Sequence, residues 1–220
     1  TSLDGGNAIP YWDYLMGRYV LTSPNDTEAL EFLYTHNSTH LLIDSSDIGK
    51  YPAYSLIGSD ANFDRYSSIP PFGLNEQATQ ETRDGVVYLF QGGAAFDDDF
   101  SWKGEFFPKQ SSGIGGFLVS VKSGENDEIV FGKPIAITVN NGNRVDIPLK
   151  CLFVDGKKIE FQGDGIDGCL YLIPKLNPDG KLKSGGSAFY LSPKTSKSLM
   201  VRLSAVAPRN ETETEVPTEE

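Results

Sequence analysis

From Gly85 onward, apolar and polar residues alternate with a period of two, and this alternation constrains the fold more than any other feature of the chain. The hairpin signals Asn140-Asn141-Gly142 and Asp155-Gly156 separate neighbouring runs of this kind. Because no long helical pattern stands between the runs, they predict an antiparallel sandwich or barrel. The predicted strands cover residues 86–91, 116–121, 135–139, 145–154, 158–162, 169–173, 188–191 and 199–205.

The residues before Gly85 show helical spacing instead. Apolar residues recur at helical intervals after the capping residues Ser23 and Asn25, which predicts a helix there. A shorter helix is predicted at residues 14–19, and the apolar run at residues 39–43 predicts a strand.

These patterns together predict an α+β fold. Residues 1–85 are expected to form an N-terminal mixed α/β unit, and residues 86–206 an antiparallel β-rich region, sandwich or barrel-like, packed on it. Residues 207–220 are rich in glutamate and are expected to form a disordered acidic tail.

Charge and hydropathy exclude some classes of protein. The 220 residues carry a net charge of −11, with 30 acidic and 19 basic residues, which argues against nucleic acid as a partner. No apolar run approaches the ~20 residues that span a bilayer, and no signal peptide is apparent, so the chain is expected to be soluble as given. It begins at Thr1 without a methionine, which predicts an excised fragment whose parent protein can include a membrane part.

Two cysteines, Cys151 and Cys169, both fall in predicted strands. A disulfide in an extracellular setting and two buried free thiols are both open interpretations, whereas the spacing matches no metal site. Three Asn-x-Thr sequons, at Asn25, Asn37 and Asn210, are compatible with a face exposed to a glycosylating compartment.

The best candidate site follows the run at residues 39–43. Asp47, Lys50 and Tyr54 recur at i, i+3 and i+7, so on a helix they would share one face. On spacing alone, the simpler interpretation is a capped helix start with one local ion pair worth about 0.2–0.5 kcal/mol.

The residues around this pair carry a more specific pattern. Asp47-x-x-Lys50 is followed by Tyr51, Ala53, Ser55 and Leu56-Ile57-Gly58, and it is preceded by Asp4-Gly5-Gly6 and by a capped helix start at residues 23–30. In this order and spacing, the first third of the chain resembles the archaeal oligosaccharyltransferase catalytic subunits of the AglB type, which carry a D-x-x-K motif.

The resemblance implies that the parent enzyme transfers a dolichol-linked oligosaccharide to the asparagine of Asn-x-Ser/Thr sequons. This chain would be its C-terminal domain on the extracellular face of the cell membrane, inactive alone and in contact with the parent's own multi-pass transmembrane region. Asp47, Lys50 and Tyr54 would bind the +2 Ser/Thr of the acceptor polypeptide. A divalent metal, Mn or Mg, would be held by the missing membrane part, with no cofactor in this fragment.

The chain departs from the family pattern at two points, and Pro52 falls where helix would be expected. The family's W-W-D-Y-G motif would precede residue 1, and the similar Tyr11-Trp12-Asp13-Tyr14 follows Asp4-Gly5-Gly6 and continues with Leu15, so we interpret it as a packing segment. Tyr54 stands where the family usually has Ile or Met. Pro52 predicts that the helix begins late or is kinked.

Besides the oligosaccharyltransferase hypothesis, the sequence bears on two other classes of function. A non-catalytic extracellular β-rich module that binds glycans or proteins is the alternative, with Trp102, Phe106 and Phe107 as candidates for stacking on sugar rings. A hydrolase lacks support, because His36 and His40 stand without a nucleophile motif.

Two acidic segments have simple interpretations. The Gly/Asp segment at residues 163–168 is either a calcium loop or, more simply, a hairpin turn. Residues 97–99, three consecutive aspartates, are interpreted as a solvated loop tip.

Overall fold

A computed structural model describes residues 9–83, 85–124, 129–176 and 182–206. Asp4-Gly5-Gly6 and the tail predicted at residues 207–220 lie outside the described residues. The helical elements are α1 (Pro10–Met16), a π-helical turn (Gly17–Leu21), α2 (Asp26–Thr35), a 3-10 helix (Ser45–Lys50), α3 (Tyr51–Ile57), two short 3-10 turns (Glu76–Ala78 and Thr195–Lys197) and α4 (Leu199–Val206).

The strands fill most of the chain between α3 and α4. They are β1 (Pro71–Leu74), β2 (Gln80–Thr82), β3 (Gly85–Ala95), β4 (Phe100–Trp102), β5 (Glu105–Phe107), β6 (Ser112–Ser123), β7 (Ile129–Phe131), β8 (Ile135–Asn140), β9 (Asn143–Val154), β10 (Lys157–Glu160), β11 (Ile166–Leu176) and β12 (Leu182–Leu191).

Seven of these strands close into a barrel. Its order is β3-β1-β12-β11-β9-β8-β6, and the pairing of β3 with β6 closes the ring. All neighbours run antiparallel except β9 and β11, which are parallel. The strands β2, β7 and β10 extend β3, β6 and β9, and β4 and β5 form a separate hairpin. The predicted α+β class with a barrel-like β region is confirmed.

The barrel interior is packed with aromatic and branched aliphatic side chains. They come from alternate positions of the strands, since successive residues of a strand point to opposite faces of the sheet. The largest fully buried members of this first core are Tyr190, Phe72, Phe90, Phe107, Phe117, Ile114, Ile147, Leu149, Leu152 and Leu170.

A second core lies between the outside of the barrel and the helices. Cys151 and Phe153 of β9 and Cys169 of β11 contribute to it, together with Tyr51 of α3 and Met200 of α4. Cys151 and Cys169 stand opposite each other on β9 and β11, with their Cα atoms 4.6 Å apart, and form a disulfide. Of the two interpretations that the sequence left open, the disulfide holds.

Two predicted strands are wrong. Residues 39–43 form neither strand nor helix, because no described strand lies beside them to pair with their backbone groups. Leu199–Val206 is a helix, because Met200, Val201 and Ala205 are buried at helical spacing against the second core. Short apolar runs of this kind fit either element by periodicity alone.

The division of the chain at residue 85 stays a prediction, although β1 and β2, which precede it, belong to the barrel sheet. The helical prediction around Ser23 and Asn25 is confirmed. Asn25 caps α2, because its side-chain oxygen accepts hydrogen bonds from the backbone N–H groups of Thr27 and Glu28.

Candidate functional site

The D-x-x-K segment occupies a helical turn on the barrel's outer side. Asp47 and Lys50 lie in the 3-10 helix, and Tyr54 lies one turn into α3. Pro52 falls in the first turn of α3, where its missing N–H has no helical partner in any case. The helix therefore begins late, at Tyr51, as the position of Pro52 predicts.

The structure brings the three predicted site residues together around one carboxylate. The Lys50 ammonium donates to Asp47 Oδ1 over 2.8 Å, and the Tyr54 hydroxyl donates to the same oxygen over 3.3 Å. The backbone N–H of Asp44 donates to Asp47 Oδ2 over 2.9 Å. Three donors from three residues thus hold the Asp47 carboxylate in one orientation.

The charges in this group stabilise one another. The hydrogen bond from Lys50 is the main cause that lowers the pKa of Asp47, and Asp47 in turn raises the pKa of Lys50. Burial, and then the Asp47 charge, raises the pKa of Tyr54. At neutral pH the site therefore holds a carboxylate, an ammonium and a neutral phenol.

Lys50 is the member of the group that faces solvent. Its side chain is 56% exposed, whereas that of Asp47 is 18% exposed. Among the described residues, the ammonium has no hydrogen-bond partner other than Asp47, so two of its three N–H groups face solvent. Leu56 and Ile57, further along α3, are also exposed. An anchored cation at the N-cap of α3 is thus followed by exposed apolar side chains near the end of that helix.

Buried contacts hold α3 against the second core and against the segment before β1. Tyr51 is buried in the second core, and burial raises the pKa of its hydroxyl to about 12. The Ser55 hydroxyl donates to the carbonyl of Ser67 over 2.9 Å, and the Ser67 N–H donates back to Ser55 Oγ. The site therefore stands on a helix that is tied to the segment leading into β1.

A second polar group, absent from the sequence-based candidates, lies near this tie. Asp97 accepts hydrogen bonds from the hydroxyls of Ser67, at 2.8 Å, and of Ser192. Burial raises the pKa of the Asp97 carboxyl. Of the predicted solvated tip at residues 97–99, Asp98 and Asp99 are exposed, but Asp97 is partly buried.

No sequence signal marks this group, because its members stand far apart in the chain. It joins the segment before β1, the loop after β3 and the end of β12. Neither histidine is among its hydrogen-bond partners, so it lacks the base that a serine nucleophile needs. We interpret it as a structural connection between three segments.

The segment that resembles W-W-D-Y-G lies in α1 and contributes rings to a small aromatic cluster. Trp12 packs edge-on against His36, with ring centres 5.2 Å apart, and His36 stacks on Phe32 at 4.3 Å. Tyr11 is exposed and contacts Trp12. These contacts agree with the interpretation as a packing segment.

The Gly/Asp segment at residues 163–168 is bound by lysines of this chain. The Lys133 ammonium donates to the carbonyls of Gln162 and Asp164, at 3.0 and 3.2 Å, and Lys150 pairs with Asp167 at 2.7 Å. Lys133 thus binds one carbonyl of this segment, that of Asp164, and the strands on either side of it, β10 and β11, both pair with β9. Among the described residues, no three His, Cys, Asp or Glu side chains are grouped to hold a metal.

The aromatic candidates of the alternative function lie on the β4–β5 hairpin. Phe107 is fully buried in the first core and Trp102 packs partly against it, beneath the ammonium of Lys103. Phe106 is 56% exposed. Of the three, Phe107 is therefore excluded from contact with an external sugar.

Within the described ranges, none of the helices is long and apolar enough to cross a membrane. Comparison with protein-family models, with curated proteins and with solved structures finds no match to this chain.

Proposed function

We propose that this chain is the extracytoplasmic C-terminal domain of an oligosaccharyltransferase and that Asp47, Lys50 and Tyr54 recognise the +2 Ser/Thr of the acceptor sequon. The parent enzyme transfers a dolichol-linked oligosaccharide to the sequon asparagine. Its divalent metal, Mn or Mg, is held by the transmembrane part, so this domain is inactive alone. The motif order in the first third of the chain is the basis for the family assignment in this proposal.

One observation carries the proposal, namely the state of the Lys50 ammonium. It is held by Asp47 yet exposed, with N–H groups left for a ligand. Many surface lysines lack such an anchor and retain several rotatable bonds of freedom. An anchored ammonium loses less conformational entropy when it binds a ligand, which favours a recognition role.

The chemistry of the three residues suits a hydroxyl ligand. Lys50 donates a charge-assisted hydrogen bond to the hydroxyl oxygen of a +2 Ser or Thr. Asp47 keeps the ammonium in place, and the half-buried ring of Tyr54 supplies an apolar wall for the threonine methyl. An acceptor with +2 Ala leaves the ammonium without this partner once water is excluded, so it binds less well.

The disulfide supports the extracellular side of the cell membrane for this domain. Disulfides form and persist in oxidising compartments and are rare in the cytosol. Cys151 and Cys169 are both buried and joined.

The test is a transfer assay on membranes that carry the intact parent protein. A fluorescent sequon peptide and its +2 Ala analogue are offered as acceptors, and the glycosylated product is measured. We expect transfer to the sequon peptide alone, and Lys50→Ala to lower it mainly by raising KM. Lys158→Ala removes another exposed lysine from a surface ion pair and should leave transfer unchanged. Equal transfer by Lys50→Ala and Lys158→Ala would contradict the role of Lys50.

The second candidate, a glycan- or protein-binding module, has one observation in its favour. Phe106 is exposed on a hairpin that also carries Lys103 over the Trp102 ring at 5.3 Å. Absence of transfer in the membrane assay, together with glycan binding that Phe106→Ala abolishes, would favour this function instead.

A further inference from the structure

We propose that Asn37 is itself an N-glycosylation site and that the first sugars of its glycan lie against Tyr34. The inference rests on the proposed function only for the compartment that the domain faces. It needs a sugar-transferring enzyme on that side of the membrane, whether or not this chain is part of that enzyme.

The conformation of Asn37 presents its side chain to solvent. Asn37 follows the end of α2 in the left-handed region, with φ +55°, which asparagine tolerates better than most residues. Its N–H donates to the carbonyl of Tyr34, and the Ser38 N–H donates to the carbonyl of Leu33, which together close a Schellman-type end of the helix. Asn37 is exposed, and among the described residues its amide side chain has no hydrogen-bond partner.

The rest of the sequon is equally accessible. Thr39 is exposed, and within the part of the chain that the structure describes its hydroxyl has one hydrogen-bond partner, the ring of the neighbouring His40. Residues 38–44 belong to no helix or strand. The side chains of Asn37 and Thr39 are therefore accessible to a transferase, while the N–H groups of Asn37 and Ser38 belong to the hydrogen-bonded end of α2.

The sequon at Asn25 is exposed as well, but it differs in its hydrogen bonds and in its secondary structure. The Asn25 side-chain oxygen caps α2 by accepting from Thr27 and Glu28, and Thr27 itself lies inside the helix. Modification of Asn25 would remove the cap, which contributes ~1 kcal/mol, or about fivefold in the helix-forming equilibrium. The fold therefore favours Asn37 over Asn25 as the acceptor.

A second, independent observation concerns the apolar side chains on either side of Asn37. Leu42 is 92% exposed and Tyr34 is 83% exposed, and no other large hydrophobic side chain of the described residues is as exposed. Tyr34 closes the same turn as Asn37 through the backbone hydrogen bond. The exposed ring of Tyr34 belongs to the residue three positions before Asn37, and we expect the apolar face of a sugar on Asn37 to pack on it.

With a polyprenyl-phosphate-linked donor, the transfer is a substitution at the anomeric carbon of the first sugar. The Asn37 amide nitrogen forms a bond to the anomeric carbon of the first sugar. The bond from that carbon to the phosphate oxygen breaks, and the lipid phosphate leaves with the electron pair. One proton leaves the amide nitrogen, which remains an N-linked amide.

The experiment is mass spectrometry of the full-length protein purified from its own cells. Asn25 and Asn37 share the tryptic peptide 19–50, so a protease that cleaves after Glu28 and Glu31 is used to separate them. We expect glycan on Asn37 at an occupancy at least about fivefold higher than on Asn25. Asn37→Gln and Thr39→Ala should remove it, while Thr39→Ser, which keeps the sequon, should retain it.

An unmodified Asn37, or equal occupancy at Asn25, would overturn the inference. The outcome is separable from that of the proposed function. Glycan on Asn37 without transfer in the membrane assay removes only the proposed function, and transfer without glycan on Asn37 removes only this inference.

The packing of the sugar on Tyr34 is tested separately, by comparing Tm changes in two backgrounds. Loss of the glycan by Asn37→Gln should lower Tm in the wild-type background and lower it less in a Tyr34→Ala background. An equal change of Tm in both backgrounds would exclude the packing of the sugar on Tyr34.

Discussion

The backbones of Gly17 and Gly58 are in direct contact, so closely that a Cβ on Gly58 would stand 2.6 Å from the carbonyl carbon of Gly17. Gly17 begins the π-helical turn after α1, and Gly58 ends α3. The Arg18 guanidinium donates to the Gly58 carbonyl at 3.1 Å and forms a two-pronged ion pair with Asp64. This contact fixes the end of the helix that carries Tyr54.

Gly58→Ala is therefore expected to destabilise the fold by about 1–3 kcal/mol, because the added methyl meets backbone atoms that cannot rotate away. Denaturant unfolding, with a fixed m-value, measures the change in the free energy of unfolding. Gly49→Ala is the matched control, since a Cβ there meets nothing within 4 Å and the 3-10 helix accepts alanine. Equal stability of the two variants would show that the Gly17 contact has room for a methyl group.

Much of the barrel follows from local sequence signals. The turns after β8 and β9 have positive φ at Asn141 and Gly142 and at Asp155 and Gly156, as two-residue hairpin loops require. The period of two likewise predicts β3, β6, β8 and β9. These features are local, and short-range sterics and burial decide them.

The features that the sequence does not predict depend on distant partners. The closing pair β3–β6 and the parallel pair β9–β11 require knowledge of the whole sheet. Met200 and Val201 fit a strand as well as a helix until the second core is known. Asp97 acquires its partners from residues 30 and 95 positions away, so its burial has no sequence signature.

The Cys151–Cys169 disulfide is expected to contribute about 3 kcal/mol, because it closes a loop with a sequence separation of 18 residues in the unfolded chain. Reduction with dithiothreitol should lower the free energy of unfolding by this amount. The variant with both Cys151→Ala and Cys169→Ala should have lower stability in oxidising buffer and show no response to the reductant. A wild-type response as small as that of the variant would mean that the cysteines are not joined.

Asp97→Ala is expected to cost about 1–3 kcal/mol, since the buried hydroxyls of Ser67 and Ser192 lose their shared acceptor. Equilibrium unfolding of the full chain measures this loss. Ser196→Ala removes a hydroxyl whose contact is at the 3.5 Å limit of a hydrogen bond and serves as the control.

The same group predicts a dependence of stability on pH. Burial raises the pKa of Asp97 above its ordinary 3.8, so the native state binds more protons than the unfolded chain between 3.8 and the native pKa. The free energy of unfolding therefore falls as pH rises through this window. The positive charge of Lys194 lowers the pKa of the Asp97 carboxyl, and the negative charge of Asp98 raises it. The hydroxyls of Tyr51 and Tyr190 also interact electrostatically with this carboxyl.

Asp97→Asn should remove this fall of the free energy of unfolding with rising pH. Asp64 has the opposite effect on the free energy of unfolding, and it acts in a lower pH range. The hydrogen bond from Arg18 lowers the pKa of Asp64 to about 2, so stability is lost as pH falls from 3.8 to that value. Asp64→Asn should remove its share of the low-pH loss, while the share of Asp47, whose pKa is also lowered, remains. Identical pH profiles of Asp97→Asn and wild type above pH 3.8 would contradict the role of Asp97.

Tyr54→Phe tests the arrangement around Lys50 without removing a charge. The phenylalanine keeps the ring in the second core but loses the hydroxyl that donates to Asp47 over 3.3 Å. A net hydrogen bond of this kind is worth about 0.5–1.5 kcal/mol. If the Asp47 orientation serves acceptor binding, the loss should raise KM for a sequon peptide about 2- to 10-fold, with little change in kcat.

The control for this variant is Tyr66→Phe, because the exposed Tyr66 hydroxyl has no hydrogen-bond partner among the residues that the structure describes. Both variants are compared in membranes that carry the intact parent protein, with normal amounts of folded enzyme established first. A rise in KM for Tyr54→Phe alone links the carboxylate geometry to the acceptor. A fall in kcat at constant KM would instead connect Tyr54 with the transfer step, and the binding role assigned to the Asp47, Lys50 and Tyr54 group would be wrong.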